Sequence, residues 1–203
     1  MLTLENISIA RNGRTLIRNF GVTIFPGTCL VVSGKNGSGK TSLLKHLAGI
    51  NSYGSGNIYF NKIDVSNHKD EYHSMICHVG HSHALSPELT VYENLEYWAN
   101  LNNRSESISA ALFVFGLYDL LSYPVSTLSQ GWQRKVALTR LLLSSAVIWY
   151  LDEPYANLDT ESCKALDNMI SAKSNNNGIV VIASHKPEPV LNSIYINLDD
   201  IMK

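Results

Sequence analysis

Hydrophobic and polar residues are arranged in two different ways in the β-like segments of this chain. In the first segment, LTLENISIA, polar residues separate the apolar residues Leu2, Leu4, Ile7 and Ile9, which predicts edge strands. Three later runs, CLVVSG, AVIWYL and GIVVIAS, are apolar almost throughout. Such runs are typical of parallel strands that are fully buried.

Segments with helical spacing lie between these strands. KTSLLKHLAGI has apolar residues at Leu43, Leu44 and Leu47, and GSGNIYFNKIDV returns to strand and turn. The middle third is mostly helical, in TVYENLEYWANL and SISAALFVFGLYDLL, and another helix is predicted between the last two apolar runs. We therefore predict a single α/β domain over residues 1–203, with a helical subdomain at about residues 87–145.

Composition and charge narrow the possible partners. Hydrophobic residues make up 45% of the chain and charged residues 16%, which indicates a globular protein. The formal net charge of −1 gives no basic footprint for nucleic acid, so we predict no nucleic-acid partner. We interpret the local basic residues Arg134, Lys135 and Arg140 as one face of a helix.

Cysteine usage and the apolar runs indicate where the protein works. Cys29, Cys77 and Cys163 are widely separated, which predicts free thiols in a reducing cytosol. The first residues lack a basic segment followed by an apolar one, so we predict no signal peptide. No run approaches the ~20 apolar residues that cross a bilayer. Any membrane role is therefore expected to come through a partner.

The segment GKNGSGKT satisfies the pattern G-x-x-x-x-G-K-[ST] and lies between a predicted buried strand and a predicted helix. Glycines let several backbone N–H groups point at one anion, and the helix N-terminus favours negative charge. Lys40 is then expected to reach the β- and γ-phosphates, and the Thr41 hydroxyl to hold Mg²⁺. A glycine-rich turn is the alternative, but it does not explain this context. The predicted nucleotide-binding residues here are Gly34, Lys35, Asn36, Gly37, Ser38, Gly39, Lys40, Thr41 and Ser42.

Two adjacent carboxylates follow the buried run in VIWYLDEP. Ligands of open α/β sheets bind at the carboxyl ends of the strands, which places these carboxylates beside the glycine-rich loop. We predict that Asp152 holds Mg²⁺, directly or through water, and that Glu153 orients or deprotonates the attacking water. The pair favours nucleotide hydrolysis over a kinase reaction.

Three further segments complete a recognisable set of motifs. LSQGW opens a predicted helix, NLDT contains Asp159, and ASHKP places His185 after a buried strand. Together with the glycine-rich loop and the carboxylates, these segments resemble the motifs of ABC-type ATPases over the whole chain. The resemblance implies a P-loop NTPase fold: an ABC-ATPase nucleotide-binding domain with a RecA-like core, an N-terminal antiparallel β subdomain and a helical subdomain.

The resemblance also implies a mechanism. Two copies pack head to tail, and each ATP, with Mg²⁺, lies between the P-loop of one copy and the signature segment of the other. His185 contacts the γ-phosphate of its own subunit's ATP, and Asp159 couples the two sites. The signature residues that face the ATP of the other copy are Leu128, Ser129, Gln130 and Gly131.

The stretch CHVGHSHALSPELTVYENLEYW resembles the heme-exporter ATPases of cytochrome c maturation, and ARNGRTL resembles a segment near their start. This likeness implies an ATP-hydrolysing subunit that is bound to integral membrane subunits at the cytoplasmic face of the bacterial inner membrane. Arg11 falls where most ABC ATPases place an aromatic residue on adenine, and its planar guanidinium can also stack on a base. The matching residues are Gly80, His81, Leu89, Thr90, Glu93, Asn94 and Leu95.

Two residues depart from the family pattern. Ser82 occupies the place of the Q-loop glutamine, so its predicted role in coupling to the membrane partner is in question. Trp132 replaces the last residue of the signature, where it either packs under the helix or lies at the dimer interface. These departures keep a degenerate, binding-only subunit open as an alternative.

Other readings also stay open. The histidines His78, His81 and His83, with Cys77 and His73 nearby, could in principle bind metal or heme, although their spacing is not that of a zinc site. Another short exporter ATPase, for lipoprotein or lipid, is the nearest functional alternative. A soluble ABC ATPase of DNA repair or translation is a further alternative, but such proteins have long insertions and only 88 residues separate Lys40 from Ser129.

Overall fold

The computed structural model describes residues 1–51, 54–185 and 193–201, which form two sheets and seven α-helices. Several 3₁₀ turns connect them. The strands are β1 (Leu2–Arg11), β2 (Arg14–Ile24), β3 (Cys29–Ser33), β4 (Gly54–Phe60), β5 (Ile63–Asp64), β6 (Ile76–Val79), β7 (Ile148–Asp152), β8 (Ile179–Ala183) and β9 (Ser193–Asn197). The helices are α1 (Lys40–Leu47), α2 (Lys69–Ser74), α3 (Val91–Leu101), α4 (Ile108–Phe115), α5 (Gln130–Leu138), α6 (Thr160–Asn175) and α7 (Leu198–Ile201).

The first sheet is antiparallel, with strand order β2-β1-β4-β5. β1 is therefore an inner strand, and the prediction of an edge position was wrong for it. Leu4 and Ile7 are both buried although their odd spacing would send them to opposite faces of a regular strand. The register shifts between them, with Asn6 at φ +53°, and this irregularity returns Ile7 to the core face.

The second sheet is parallel, with strand order β6-β7-β8-β3-β9. Its central strands are buried on both faces, as their continuous apolar runs predict. In β7, Ile148 and Tyr150 pack with α1 and the first sheet, whereas Trp149 and Leu151 pack with the helical segments on the other side. The carboxyl ends of these strands meet at one edge, which is where the candidate site lies.

The helices pack on this sheet through their apolar faces. Leu43, Leu44 and Leu47 of α1 are fully buried, as predicted. α3 begins with a capping box in which the Glu93 carboxylate accepts from the Thr90 N–H at 2.8 Å and the Thr90 hydroxyl accepts from the Glu93 N–H at 3.2 Å. Within the described part of the chain, no helix combines the length and the apolar character needed to cross a membrane.

The basic residues near α5 do not form one helix face. Arg134 and Arg140 are buried at 2% and 4% exposure, and Lys135 is buried at 9%. Arg140 lies beyond α5 in a 3₁₀ turn, 4.8 Å over the Trp98 ring. Each of the three side chains has different partners, so the interpretation as one helix face was wrong.

Candidate nucleotide-binding site

The glycine-rich loop connects β3 to α1. Gly34 has φ +146°, and a Cβ atom there would meet the Ser38 hydroxyl oxygen at 2.7 Å. Gly37 and Gly39 also have positive φ, and Gly39 is the N-cap of α1. The loop therefore needs glycine at positions where other residues would be strained or would clash. It presents the N-terminus of α1 to the surface as an anion-binding site.

A cleft of about 690 Å³ opens at this loop. Lys40 is 7% exposed, and its ammonium group donates hydrogen bonds to the carbonyls of Gly34 at 2.7 Å and Lys35 at 3.1 Å. The Lys35 N–H donates to the Asp199 carboxylate at 3.2 Å, so that N–H is turned toward α7. Gly34, Lys35 and Ser38 do not line the cleft. The predicted nucleotide-binding residues that line it are Arg11, Asn36, Gly37, Gly39, Lys40, Thr41 and Ser42.

Asp152 ends β7 beside this loop and is 1% exposed. Burial raises the pKa of its carboxyl group, and the nearby Thr41 hydroxyl lowers that pKa in part. Among the described residues, neither carboxylate oxygen has a hydrogen-bond partner of good geometry. A buried carboxylate without a partner beside a hydroxyl matches the all-oxygen ligands that Mg²⁺ prefers.

Glu153 lies in the cleft in an unusual backbone conformation. Its φ is +48°, a left-handed conformation that costs a non-glycine residue on the order of 1–3 kcal/mol. The His185 N–H donates to the Glu153 carboxylate at 2.9 Å, and the His185 ring nitrogen Nδ1 lies 3.0 Å from the same group. The Ser184 hydroxyl lies at 3.4 Å. These contacts hold the carboxylate in one orientation and bring the two predicted catalytic residues together.

The signature segment begins α5 on the exposed surface. Ser129 is the N-cap, and its hydroxyl accepts a hydrogen bond from the Trp132 N–H at 3.4 Å. A Cβ atom at Gly131 would meet the Asn157 carbonyl oxygen at 2.7 Å, so glycine is required for the close approach of that loop. Leu128, Ser129, Gln130 and Gly131 do not line the cleft of their own chain.

Trp132 and Asp159 are linked through Lys135. The Lys135 ammonium lies 4.1 Å from the centre of the Trp132 ring and donates to the Asp159 carboxylate at 2.7 Å. That hydrogen bond, together with the Ser162 N–H at the start of α6, holds the pKa of Asp159 well below its usual range. Trp132 is half-buried and packs against the core.

The comparisons with known proteins identify the family. The sequence profile of the ABC transporter family matches residues 17–156. A cytochrome c biogenesis ATP-binding export protein CcmA from Wolbachia pipientis wMel is 40% identical over 185 residues, which are 91% of this chain and 89% of that one. The CcmA protein of Vibrio vulnificus strain YJ016 is 35% identical over 189 residues, 92% of each chain. The chain belongs to the ABC transporter family, among the CcmA ATP-binding export proteins. Both resemblances are therefore confirmed.

Solved ABC cassettes share the fold. An ATP-binding subunit of an ABC transporter matches with a TM-score of 0.80 at 21% identity, covering 91% of this chain and 79% of that one. A bacterial ABC transporter cassette solved as a dimer matches with a TM-score of 0.84 at 21% identity, covering 98% of this chain and 95% of that one. The predicted ABC-type P-loop fold is confirmed, and ATP hydrolysis is the activity of this family.

At the position of the Q-loop glutamine, the residue that lines the cleft is not the one that the family pattern predicts. Ser82 is exposed and does not line the cleft. The preceding residue, His81, does line it, together with Glu153. His81 lies two residues after the end of β6, and the sequence matched it to the family pattern without assigning it a role in the site.

The cluster of histidines has no metal-binding geometry. Within residues 1–51, 54–185 and 193–201, no group of three or more His, Cys, Asp or Glu side chains could hold a metal ion. Cys77 packs against the core on one face of β6, and alternate residues of a strand point to opposite faces. Burial lowers the pKa of His78 to about 4, so this imidazole is neutral at physiological pH.

We expect Trp132→Gln to change ATP-dependent self-association by less than about threefold and to lower the free energy of unfolding by about 1–2 kcal/mol. The reason is that the ring packs on its own chain and carries the Lys135 ammonium. Denaturant unfolding and light scattering with ATP measure the two effects, and Trp132→Phe is the matched control. A tenfold loss of association at unchanged stability would instead place Trp132 in the interface.

Proposed function

We propose that this chain binds ATP with Mg²⁺ and hydrolyses it between two head-to-tail copies. The observation that carries the proposal is the Glu153 carboxylate. It lies in the cleft of the glycine-rich loop on a strained backbone and is oriented by contacts to His185. A strained, oriented carboxylate at a phosphate-binding loop is suited to accept a proton from an attacking water.

Residues of the cleft and of the strand ends beside it have specific tasks in this proposal. The Lys40 ammonium, now on the loop carbonyls, neutralises the β- and γ-phosphates. Thr41 and Asp152 would hold Mg²⁺, which when bound adds positive charge at the phosphates. The His185 N–H and ring keep the Glu153 carboxylate directed at the water. Arg11 stacks on the base at the rim of the cleft.

The second copy completes the site in this proposal. Ser129 and Gln130 are exposed and lie outside the cleft of their own chain, so they are available to another chain's ATP. The N-terminus of α5 favours the γ-phosphate anion. The ion pair between Lys135 and Asp159 joins this helix to the NLDT segment of the same chain, and we propose that this link couples the two sites. The similar cassette that was solved as a dimer supports the pairing of two copies.

The names of the relatives support a transport role. We propose that the chain is the peripheral ATPase subunit of an exporter for c-type cytochrome biogenesis, bound to integral membrane subunits at the cytoplasmic face of the bacterial inner membrane. Heme is the proposed cargo. The other short exporters, for lipoprotein or lipid, differ in the membrane subunits that they would bind.

Co-purification from the native membrane tests this transport role. We expect integral membrane subunits to co-purify with a tagged chain after mild solubilisation of the membrane and to be lost after harsh solubilisation. Deletion of the gene is expected to abolish heme attachment to c-type cytochromes, which heme staining measures. The Arg18→Ala protein, which is altered at an exposed residue, is expected to restore the attachment. Recovery of lipoprotein-exporter subunits, or normal cytochromes in the deletion strain, would contradict the proposed pathway.

A further inference from the structure

The register of the parallel sheet brings the loop that carries His81 beside the strand end that carries Glu153. Val79 of β6 pairs with Leu151 of β7, so the loop that carries His81 leaves the sheet beside the strand end that carries Glu153, and both residues line one cleft. On the other side, Asp152 pairs with Ala183 of β8, which leads to His185. The segments that follow the two neighbouring strands therefore each carry one histidine at the edge of the sheet where Glu153 lies.

Two observations place His81 in the site. His81 lines the same cleft as Thr41 and Glu153. The buried Arg134 donates to the Gly80 carbonyl at 2.8 Å and to the Glu153 carbonyl at 2.8 Å. One guanidinium group therefore fixes the two loops that carry His81 and Glu153 relative to each other.

We propose that His81 is a catalytic residue whose imidazole hydrogen-bonds to the water that attacks the γ-phosphate. This inference rests on the proposed ATP hydrolysis. In that step the water oxygen forms a bond to the γ-phosphorus, the bond to the β–γ bridging oxygen breaks, and ADP leaves with the electron pair. One water proton passes to the Glu153 carboxylate. His81 accepts a hydrogen bond from the other proton and fixes the direction of attack, a task that Ser82, which does not line the cleft, does not perform.

The test compares neighbouring substitutions in the full chain. His81→Ala is expected to lower kcat for ATP by about 10–100-fold and to leave ATP affinity within about threefold, because the lost hydrogen bond acts on the reacting water. Ser82→Ala is the matched control, with kcat within about twofold of the original. His81→Gln keeps a hydrogen-bond acceptor and is expected to retain most of the activity, whereas His81→Leu is not.

Three results would contradict the role proposed for His81. Unchanged kcat in His81→Ala, or an equal loss in Ser82→Ala, would overturn the proposal, and so would weaker ATP binding at unchanged kcat. Equilibrium binding of a fluorescent ATP analogue and the unfolding temperature separate these cases from loss of folding. If the unaltered protein hydrolyses no ATP, the proposed function fails and not only the role of His81.

Discussion

Glu153→Gln is expected to lower ATP turnover by about 10²–10⁴-fold and to keep ATP affinity within a few-fold, because the amide is isosteric but is no general base. The side chain can still accept the His185 N–H bond that orients the carboxylate at 2.9 Å. The backbone strain at φ +48° is a property of the loop and stays. The substitution therefore removes the proton acceptor and little else.

Phosphate release measures the turnover, and equilibrium binding of a fluorescent ATP analogue measures the affinity. Lys40→Ala is the contrasting variant. It removes the charged contacts to the phosphates and is expected to lose ATP binding together with turnover. Unchanged turnover in Glu153→Gln would remove Glu153 from its proposed role. A native protein that binds ATP without turnover would favour the binding-only alternative that Ser82 and Trp132 raised.

The glycine-rich loop and the buried strands could be predicted because local chemistry dictates them. A loop that must adopt positive φ at Gly34, Gly37 and Gly39 selects glycine in a fixed spacing. A strand buried on both faces selects a continuous apolar run, as in β7 and β8. In these segments the residue types seen in the sequence are required directly by the local backbone conformation or by burial.

The rest depended on tertiary contacts that no local pattern reveals. The inner position of β1 follows from its pairing with both β2 and β4. The role proposed for His81 follows from strand register. Gly131 was predicted to face the ATP of the other copy, whereas the structure adds the close approach of Asn157. Charged residues on a helix are usually solvated, so the burial of Arg134 could not be predicted from the sequence.

Arg134 connects the segments that carry the proposed catalytic residues. Its guanidinium group is 2% exposed and donates hydrogen bonds to four backbone carbonyls at 2.7–3.3 Å. Burial lowers its pKa to about 10, so it remains charged at neutral pH. One side chain thus ties α5, the end of β7 and the loop after β6 together. The carbonyls belong to Gly80, Asp152, Glu153 and Pro154.

Arg134→Ala is accordingly expected to lower the free energy of unfolding by about 3–5 kcal/mol, because it leaves several buried carbonyls without a donor. Arg134→Lys keeps the charge but lacks the planar fork, so it should recover only part of the loss. Denaturant unfolding measures the effect, and the exposed Arg18→Ala, with a change of less than about 0.5 kcal/mol, is the control.

A loss below about 1 kcal/mol would mean that water satisfies the carbonyls as well as Arg134 does. At temperatures where the Arg134→Lys protein is still folded, its turnover should fall more than its ATP affinity. The reason is that the P-loop contacts of Lys40 do not pass through Arg134, whereas the positions of His81 and Glu153 do. Equal losses of turnover and affinity would show that Arg134 supports the whole fold and not the catalytic edge of the sheet in particular.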